Sequence, residues 1–159
     1  MSVAVKEGQD ARQLVRDLVE EQGHEKAELI PILHEINGAL GYISDVAIQE
    51  LSEQMKVPTS QIYSVATFYR MLSTEPRGRH VIQFCESAPC HVAGGRLVWQ
   101  KLQQELGLDK GETSEDDKWT LLTVSCLGVC GVGPVMIIDN DIYGNVTPEQ
   151  VPDILSNYK

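Results

Sequence analysis

Four cysteines, Cys85, Cys90, Cys126 and Cys130, are the residues of this 159-residue chain whose type and spacing point most directly to chemistry. They form a C-x4-C pair and a C-x3-C pair separated by residues 91–125. Thiolates are soft donors that suit zinc and iron-sulfur centres, so spacing and setting have to choose between the two. Structural zinc sites mostly use C-x2-C knuckles, which both pairs lack, and this places zinc second. A thioredoxin-type redox pair also needs C-x-x-C, and a Rieske centre needs two histidines, whereas here His91 simply follows Cys90. Plant-type ferredoxins begin C-x4-C but continue C-x2-C. The spacing favours a four-thiolate iron-sulfur site of another kind, with a structural zinc-binding interaction module as the alternative.

The loop Cys126-Leu-Gly-Val-Cys130-Gly-Val-Gly-Pro134 carries three glycines, Gly128, Gly131 and Gly133. Glycines let backbone N–H groups approach closely, and such donors would stabilise the negative charge of a thiolate-ligated centre. Without a metal the same segment reads as a glycine-rich turn before a strand.

The elements that must position these thiols fall into two parts, 1–77 and 78–159. From about Gln9 to Ser73 the apolar residues recur at helical spacing. Leu14, Val15, Leu18 and Val19 make one stripe, ended by Gly23. A second helix tolerates Pro31 in its first turn and buries Ile32, Leu33 and Ile36 until Gly38 and Gly41 break it. Ser44 and Asp45 cap a third that buries Ile48, Leu51 and Met55 and stops at Val57-Pro58. A fourth, Thr59 to Leu72, aligns Ile62, Val65, Ala66, Tyr69 and Leu72. This predicts an N-terminal helical bundle, with the aromatic residues Tyr63, Phe68 and Tyr69 in its core.

After Gly78 the period changes. His80 to Phe84 reads as a strand running into Cys85, Val92 to Leu106 as a helix stopped by Gly107, and Trp119 to Val124 as a strand leading to Cys126. Val135 to Ile138 and Ile142 to Tyr143 are two further strands, and Thr147-Pro148 opens a last helix. The order β, α, β, β, β predicts an α/β domain with each cysteine pair at a strand end, so that neighbouring strands could bring the two loops to one edge of a sheet.

Composition narrows the function. Hydrophobic residues at 42% and charged residues at 23% describe a packed chain rather than a disordered one. The net charge of −10 repels phosphate backbones and anionic lipid, which argues against nucleic-acid binding. The apolar runs fall short of a membrane span, and Met1 to Asp10 has neither a secretory h-region nor an Arg-rich amphipathic stretch, so a cytoplasmic location without membrane insertion is expected. There the cysteines would stay reduced and available as ligands. Neither G-x-G-x-x-G nor G-x-x-x-x-G-K-[ST] occurs, so nothing places NADH or hydride transfer on this chain.

The segments Cys85-Glu-Ser-Ala-Pro-Cys90-His-Val-Ala-Gly-Gly95 and Cys126-Leu-Gly-Val-Cys130, with Gly41-Tyr42 and Val65-Ala-Thr-Phe-Tyr69, closely resemble the thioredoxin-like [2Fe-2S] subunit of NADH-linked oxidoreductases, often called the NuoE type. That family serves the electron-input module of respiratory complex I, soluble NAD-dependent or bifurcating hydrogenases, and formate dehydrogenases. The resemblance runs from about Gln9 to Tyr158. It implies a helical bundle followed by a thioredoxin-like α/β domain, with Cys85, Cys90, Cys126 and Cys130 as ligands of a [2Fe-2S] cluster.

It further implies a one-electron relay beside the flavin of a complex that oxidises NADH or reduces NAD. The partners would be an FMN- and NADH-binding flavoprotein subunit and further iron-sulfur subunits, with the bundle as docking surface. Ser125, where an acidic residue is common, and Asp117-Lys118, where Asp-Gly is common, depart from the pattern without touching a ligand. All-cysteine ligation in an acidic chain points to a potential of the order of −400 mV. His24, His34 and His80 read as surface or core groups, and His91 as a solvated first-turn residue. The acidic stretch Asp109 to Asp117 reads as a solvated loop.

Overall fold

Leu14, Val15, Leu18 and Val19 do share one stripe of helix α1 (Ser2–Gln22), and Val15 and Val19 are fully buried by it. The computed structural model describes residues 2–159, with side chains from residue 10 onward. The chain divides into two units, one ending at Pro76 and one spanning Arg77–Lys159.

The first unit is helical. Helix α2 (Leu29–Leu40) buries Leu29, Ile32, Leu33 and Ile36. It passes through Gly38 and ends at Gly41, whose φ of 79° is left-handed. A glycine inside a helix costs only about 1 kcal/mol, so Gly38 does not break it; the stop comes where the backbone must turn left-handed. Ser44 caps α3 (Asp45–Met55) by accepting the Ala47 N–H at 3.3 Å.

Helix α4 (Thr59–Phe68) is shorter than the periodicity predicts and ends where Tyr69 becomes extended. Ile62, Val65 and Ala66 face the core, and Leu72 reaches it from beyond the helix end. The aromatic residues expected in that core are not there: Phe68 is 80% exposed, and Tyr63 and Tyr69 are exposed as well. Phe68 lies six residues beyond Ile62, on the far side of a 3.6-residue turn, and with the helix finished Tyr69 does not follow Ile62 and Ala66 inward.

Helices α1 and α3 are also joined by charge. The buried Glu50 accepts from Arg16 Nε at 2.7 Å and from Gln54 Nε2 at 2.9 Å. The Arg16 hydrogen bond, then that of Gln54, hold the Glu50 carboxyl below its usual range against the opposing effect of burial. A depressed folded pKa contributes stability above the unfolded value of about 4.3, and that stability is lost as pH falls through the folded value. Denaturation midpoints measured from about pH 7 to about pH 3 should therefore fall more steeply for the parent than for Glu50→Gln. Parallel profiles would show that Glu50 carries no such linkage.

In the second unit, β1 (His80–Cys85) pairs in parallel with β2 (Trp119–Val124), His80 opposite Trp119 and Cys85 opposite Val124. On its other side β1 pairs antiparallel with β3 (Met136–Ile138), which turns at Asp139 and Asn140 into β4 (Asp141–Tyr143). The sheet order is β2-β1-β3-β4.

The crossover from β1 to β2 contains the short helix α5 (Ala88–Cys90), a wide π turn over His91–Gly95, and α6 (Arg96–Leu106). Val98 and Leu102 of α6 pack on Ile82, Phe84, Leu121, Met136 and Ile138, and Val151 of α7 (Val151–Ser156) completes that core. His80 is part of the scaffold: its Nδ1 lies 2.7 Å from Asp139 Oδ2, and its ring packs against Trp119 and Tyr158. Among the described residues, no helix is long and apolar enough to cross a membrane.

Candidate metal centre

The parallel register sets the site. Because Cys85 ends β1 opposite Val124, the last residue of β2, both strands release their loops at the same end of the sheet. The Cys85 N–H donates to the Val135 carbonyl at 3.1 Å and the Glu86 N–H to the Val124 carbonyl at 3.0 Å, fixing the point where β1 ends. Cys90 sits one short helix later, where the His91 N–H closes the turn onto the Ser87 carbonyl at 3.0 Å. Cys126 follows β2 by two residues, and Cys130 opens the single 3-10 turn Cys130–Val132.

The two loops are tied to each other. The Cys85 thiol donates to the Ser125 carbonyl at 3.2 Å, joining the first cysteine to the residue before the third. Cys85, Cys90 and Val135 form a small buried cluster with Leu127 packed against it. Cys85 and Cys90 are 2% and 1% exposed, whereas Cys126 and Cys130 are exposed, and all four are free thiols.

Electrostatics identify what the thiols lack. At Cys85 burial pushes the pKa up, but hydrogen bonds from the Ser87 and Leu127 backbones and from the Cys90 thiol outweigh it, and the net shift is downward. At Cys90 burial and the hydrogen bond to Cys85 push the thiol up. The hydrogen bond with Cys126 does the same to Cys130, and the charge of Cys85 adds to it from the other loop. One thiol lowered by backbone donors beside others raised by burial and by their neighbours makes a site in which a bound metal ion would stabilise the thiolate forms.

The donor set fits a cluster held by two ligand pairs. Cys126 Sγ and Cys130 Sγ lie 3.6 Å apart. With metal–sulfur bonds of about 2.3 Å, two thiolates on one tetrahedral metal stand about 3.8 Å apart. Cys85 and Cys90 form the second interacting pair. Among the described residues, no group of three or more His, Cys, Asp or Glu side chains is placed to hold a metal ion, so the thiols stand as two pairs rather than one converged set.

The glycines divide their roles in a way the sequence does not display. The Gly128 N–H donates to Cys126 Sγ at 3.3 Å, as a charge-stabilising donor should. The Gly133 N–H instead goes to the Cys130 carbonyl, and Gly133 serves by having no side chain: a Cβ there would stand 3.1 Å from Cys90 Sγ. Its emptiness is the cradle of the buried sulfur. His91 is exposed, and among the described residues its ring makes no hydrogen bond to a sulfur. The Ser87, Leu127 and Val135 amides were not foreseeable, because backbone donors carry no residue-type signal.

Known proteins resemble this chain over most of its length. A family model described as "Thioredoxin-like [2Fe-2S] ferredoxin" matches residues 15–159. A subunit of the NADH-quinone oxidoreductase of Escherichia coli (strain K12) is 36% identical over 148 residues, covering 91% of this chain and 89% of that protein. The HndA subunit of the NADP-reducing hydrogenase of Solidesulfovibrio fructosivorans is 32% identical over 146 residues, covering 92% and 83%. Among solved structures, a chain of NAD+-reducing [NiFe]-hydrogenase in the air-oxidized state has the same fold, with a TM-score of 0.72 at 22% identity. The match covers 82% of the present chain and about a fifth, 22%, of the hydrogenase chain.

Proposed function

Since this chain belongs to the thioredoxin-like [2Fe-2S] ferredoxins, we propose that Cys85, Cys90, Cys126 and Cys130 are the four ligands of its cluster and that it relays single electrons beside the flavin of a partner subunit. The observation that carries this reading is the placement of two thiol pairs at the carboxyl ends of two parallel neighbouring strands. When bound, a [2Fe-2S] cluster supplies reversible one-electron storage, with a potential set by its ligands, hydrogen bonds to sulfur and exposure.

The chain's own residues do the rest. Cys85 and Cys90 anchor the protein side of the centre, where Val135 and Leu127 exclude water. The Ser87, Leu127, Val135 and Gly128 amides offset negative charge on the sulfurs, which raises the potential, while burial of one ligand pair and a net charge of −10 act in the opposite sense. Cys126 and Cys130 bring the other side of the centre to the surface among the exposed Val129 and Val132, a rim suited to close approach by a partner.

The partner we propose is an FMN- and NADH-binding flavoprotein subunit of an oxidoreductase complex that also holds further iron-sulfur subunits. Hydride chemistry is placed there because this chain carries no dinucleotide-binding motif. The exposed Tyr63, Phe68, Tyr69 and Met71 of the helical unit are an apolar surface for that subunit to cover, and free thiols suit a cytoplasmic site.

Protein prepared and reconstituted without oxygen should contain about two irons and two acid-labile sulfides per chain, with visible absorption and an EPR signal on reduction. About one zinc and a colourless product would instead establish the structural zinc module. The complex isolated from its native source should contain FMN and oxidise NADH; a flavin-free complex would remove the proposed neighbour.

A further inference from the structure

A cavity of about 280 Å³ opens at the carboxyl ends of the parallel pair β1 and β2. In open α/β sheets that crevice is the usual place for a ligand. Phe84 and Cys85 at the end of β1 with Glu86 just after it, Thr123 of β2, His91, Arg96 and Trp99 along the π turn and the start of α6, and Lys110 beyond that helix line it. Cys85 is shared with the metal centre, but Cys90, Cys126 and Cys130 do not line the cavity, so it is separate from the space between the four sulfurs.

In a chain of net charge −10, the cavity gathers Arg96, Lys110 and the His91 ring against a single carboxylate, Glu86. Among the described residues the Arg96 side chain has no ion pair or hydrogen bond. Lys110 pairs with Glu86 at 3.0 Å, but both are about half exposed, and such a pair is weak enough for a stronger anion to displace. Arg96 opens the 11-residue helix α6 where the π turn passes into it, on the exposed side of the helix. Opposite the cations stands an aromatic wall, with the Phe84 and Trp99 rings 5.6 Å apart and Trp99 partly open to solvent.

We propose that this cavity binds a phosphate monoester carrying one flat ring, of the class of a nucleoside monophosphate, with the phosphate between Arg96 and Lys110 and the ring against Trp99. The two cations favour an anion over a neutral ligand once Lys110 leaves Glu86, and the guanidinium offers a bidentate match to phosphate oxygens. The indole face adds stacking that a bare anion cannot use. The cavity is near the lower size limit of small-molecule pockets, which suits one ring and one phosphate rather than a dinucleotide.

The position beside Cys85 gives binding a consequence that rests on the proposed ligand set. Reduction adds negative charge, so an anion held at the Cys85 wall disfavours the reduced state and shifts the midpoint potential negative. By linkage, the reduced protein releases the ligand more readily, by the same factor.

Calorimetric titration of the protein as purified with adenosine 5′-monophosphate, adenosine and inorganic phosphate reads binding as heat, not through the colour or EPR signal of a metal centre. The monophosphate is expected to bind with Kd below about 1 mM, and each fragment alone about tenfold more weakly or worse. Arg96→Gln and Lys110→Gln, both changes at the surface, should each weaken the monophosphate by about tenfold. No heat at about 5 mM monophosphate, or affinity unchanged in both variants, would falsify the proposal. Inorganic phosphate binding as tightly as the nucleotide would remove the ring's role and overturn the ligand class. Binding is read independently of iron, so its failure is distinguishable from failure of the four-cysteine assignment.

Discussion

Cys90→Ala is expected to abolish the visible spectrum and the EPR signal of anaerobically reconstituted protein, with bound iron reduced at least tenfold. The sulfur is 1% exposed, packed with Cys85 and Val135, and fed by the Val135 amide. No water or surface side chain has ready access to replace it. Loss of a hydrogen bond to a ligand already costs about 10–100-fold in metal affinity, and loss of the ligand itself must exceed that. Alanine keeps the small apolar shape of the site, so far-UV circular dichroism should be preserved while the colour is lost. A variant that stays brown with two irons would remove Cys90 from the ligand set. Cys126→Ala tests the exposed pair in the same way.

Gly95→Ala should be nearly as damaging, although residue 95 donates nothing to a metal. A Cβ on Gly95 would lie 2.6 Å from the Cys90 carbonyl oxygen, 3.1 Å from its carbon and 3.3 Å from Phe84 Cζ. Two of those neighbours are backbone atoms of a proposed ligand residue, and they cannot rotate aside. Relief requires opening the π turn that follows Cys90 or shifting Phe84 near the end of β1. Overpacking of this kind costs about 1–3 kcal/mol, and here the strain falls on the metal site. Lower thermal stability together with iron loss is expected. Gly94→Ala is the control: with φ at 102° it is strained, yet nothing stands within 4 Å of its Cβ, so it should lose stability but keep its iron. Equal stability and full loading in the Gly95 variant would refute the steric account.

The order of elements was legible because each carries its own period. The stripe of α1, the Ser44 cap and the run Trp119 to Val124 each specify one local structure with little help from the rest of the chain. The placing of each cysteine pair after a strand was legible from the sequence, and the parallel pairing of β1 with β2 brings the loops that follow them to one end of the sheet. The exposure of Phe68 and Tyr69 was not, because whether α4 continues beyond residue 68 depends on where the chain must leave the bundle. The π turn at His91–Gly95 was hidden for a related reason: it widens a helix to let Gly95 rest on the Cys90 carbonyl, a tertiary contact with no sequence period. The amides that feed the sulfurs are equally silent, since any residue type supplies them. Arg96, Trp99 and Lys110 read as ordinary helix-surface and loop residues until the fold gathers them around one cavity.

The unequal exposure of the thiols also bears on how the centre is filled and lost. Cys126 and Cys130 face solvent while Cys85 and Cys90 are buried. Under the proposed ligand set, a cluster arriving from solvent would meet the exposed Cys126 and Cys130 before the buried Cys85 and Cys90. Chelators and oxidants work from that same mouth. A partner seated over it acts as a stopper, so the half-life of the isolated protein in air should be shorter than that of the assembled complex.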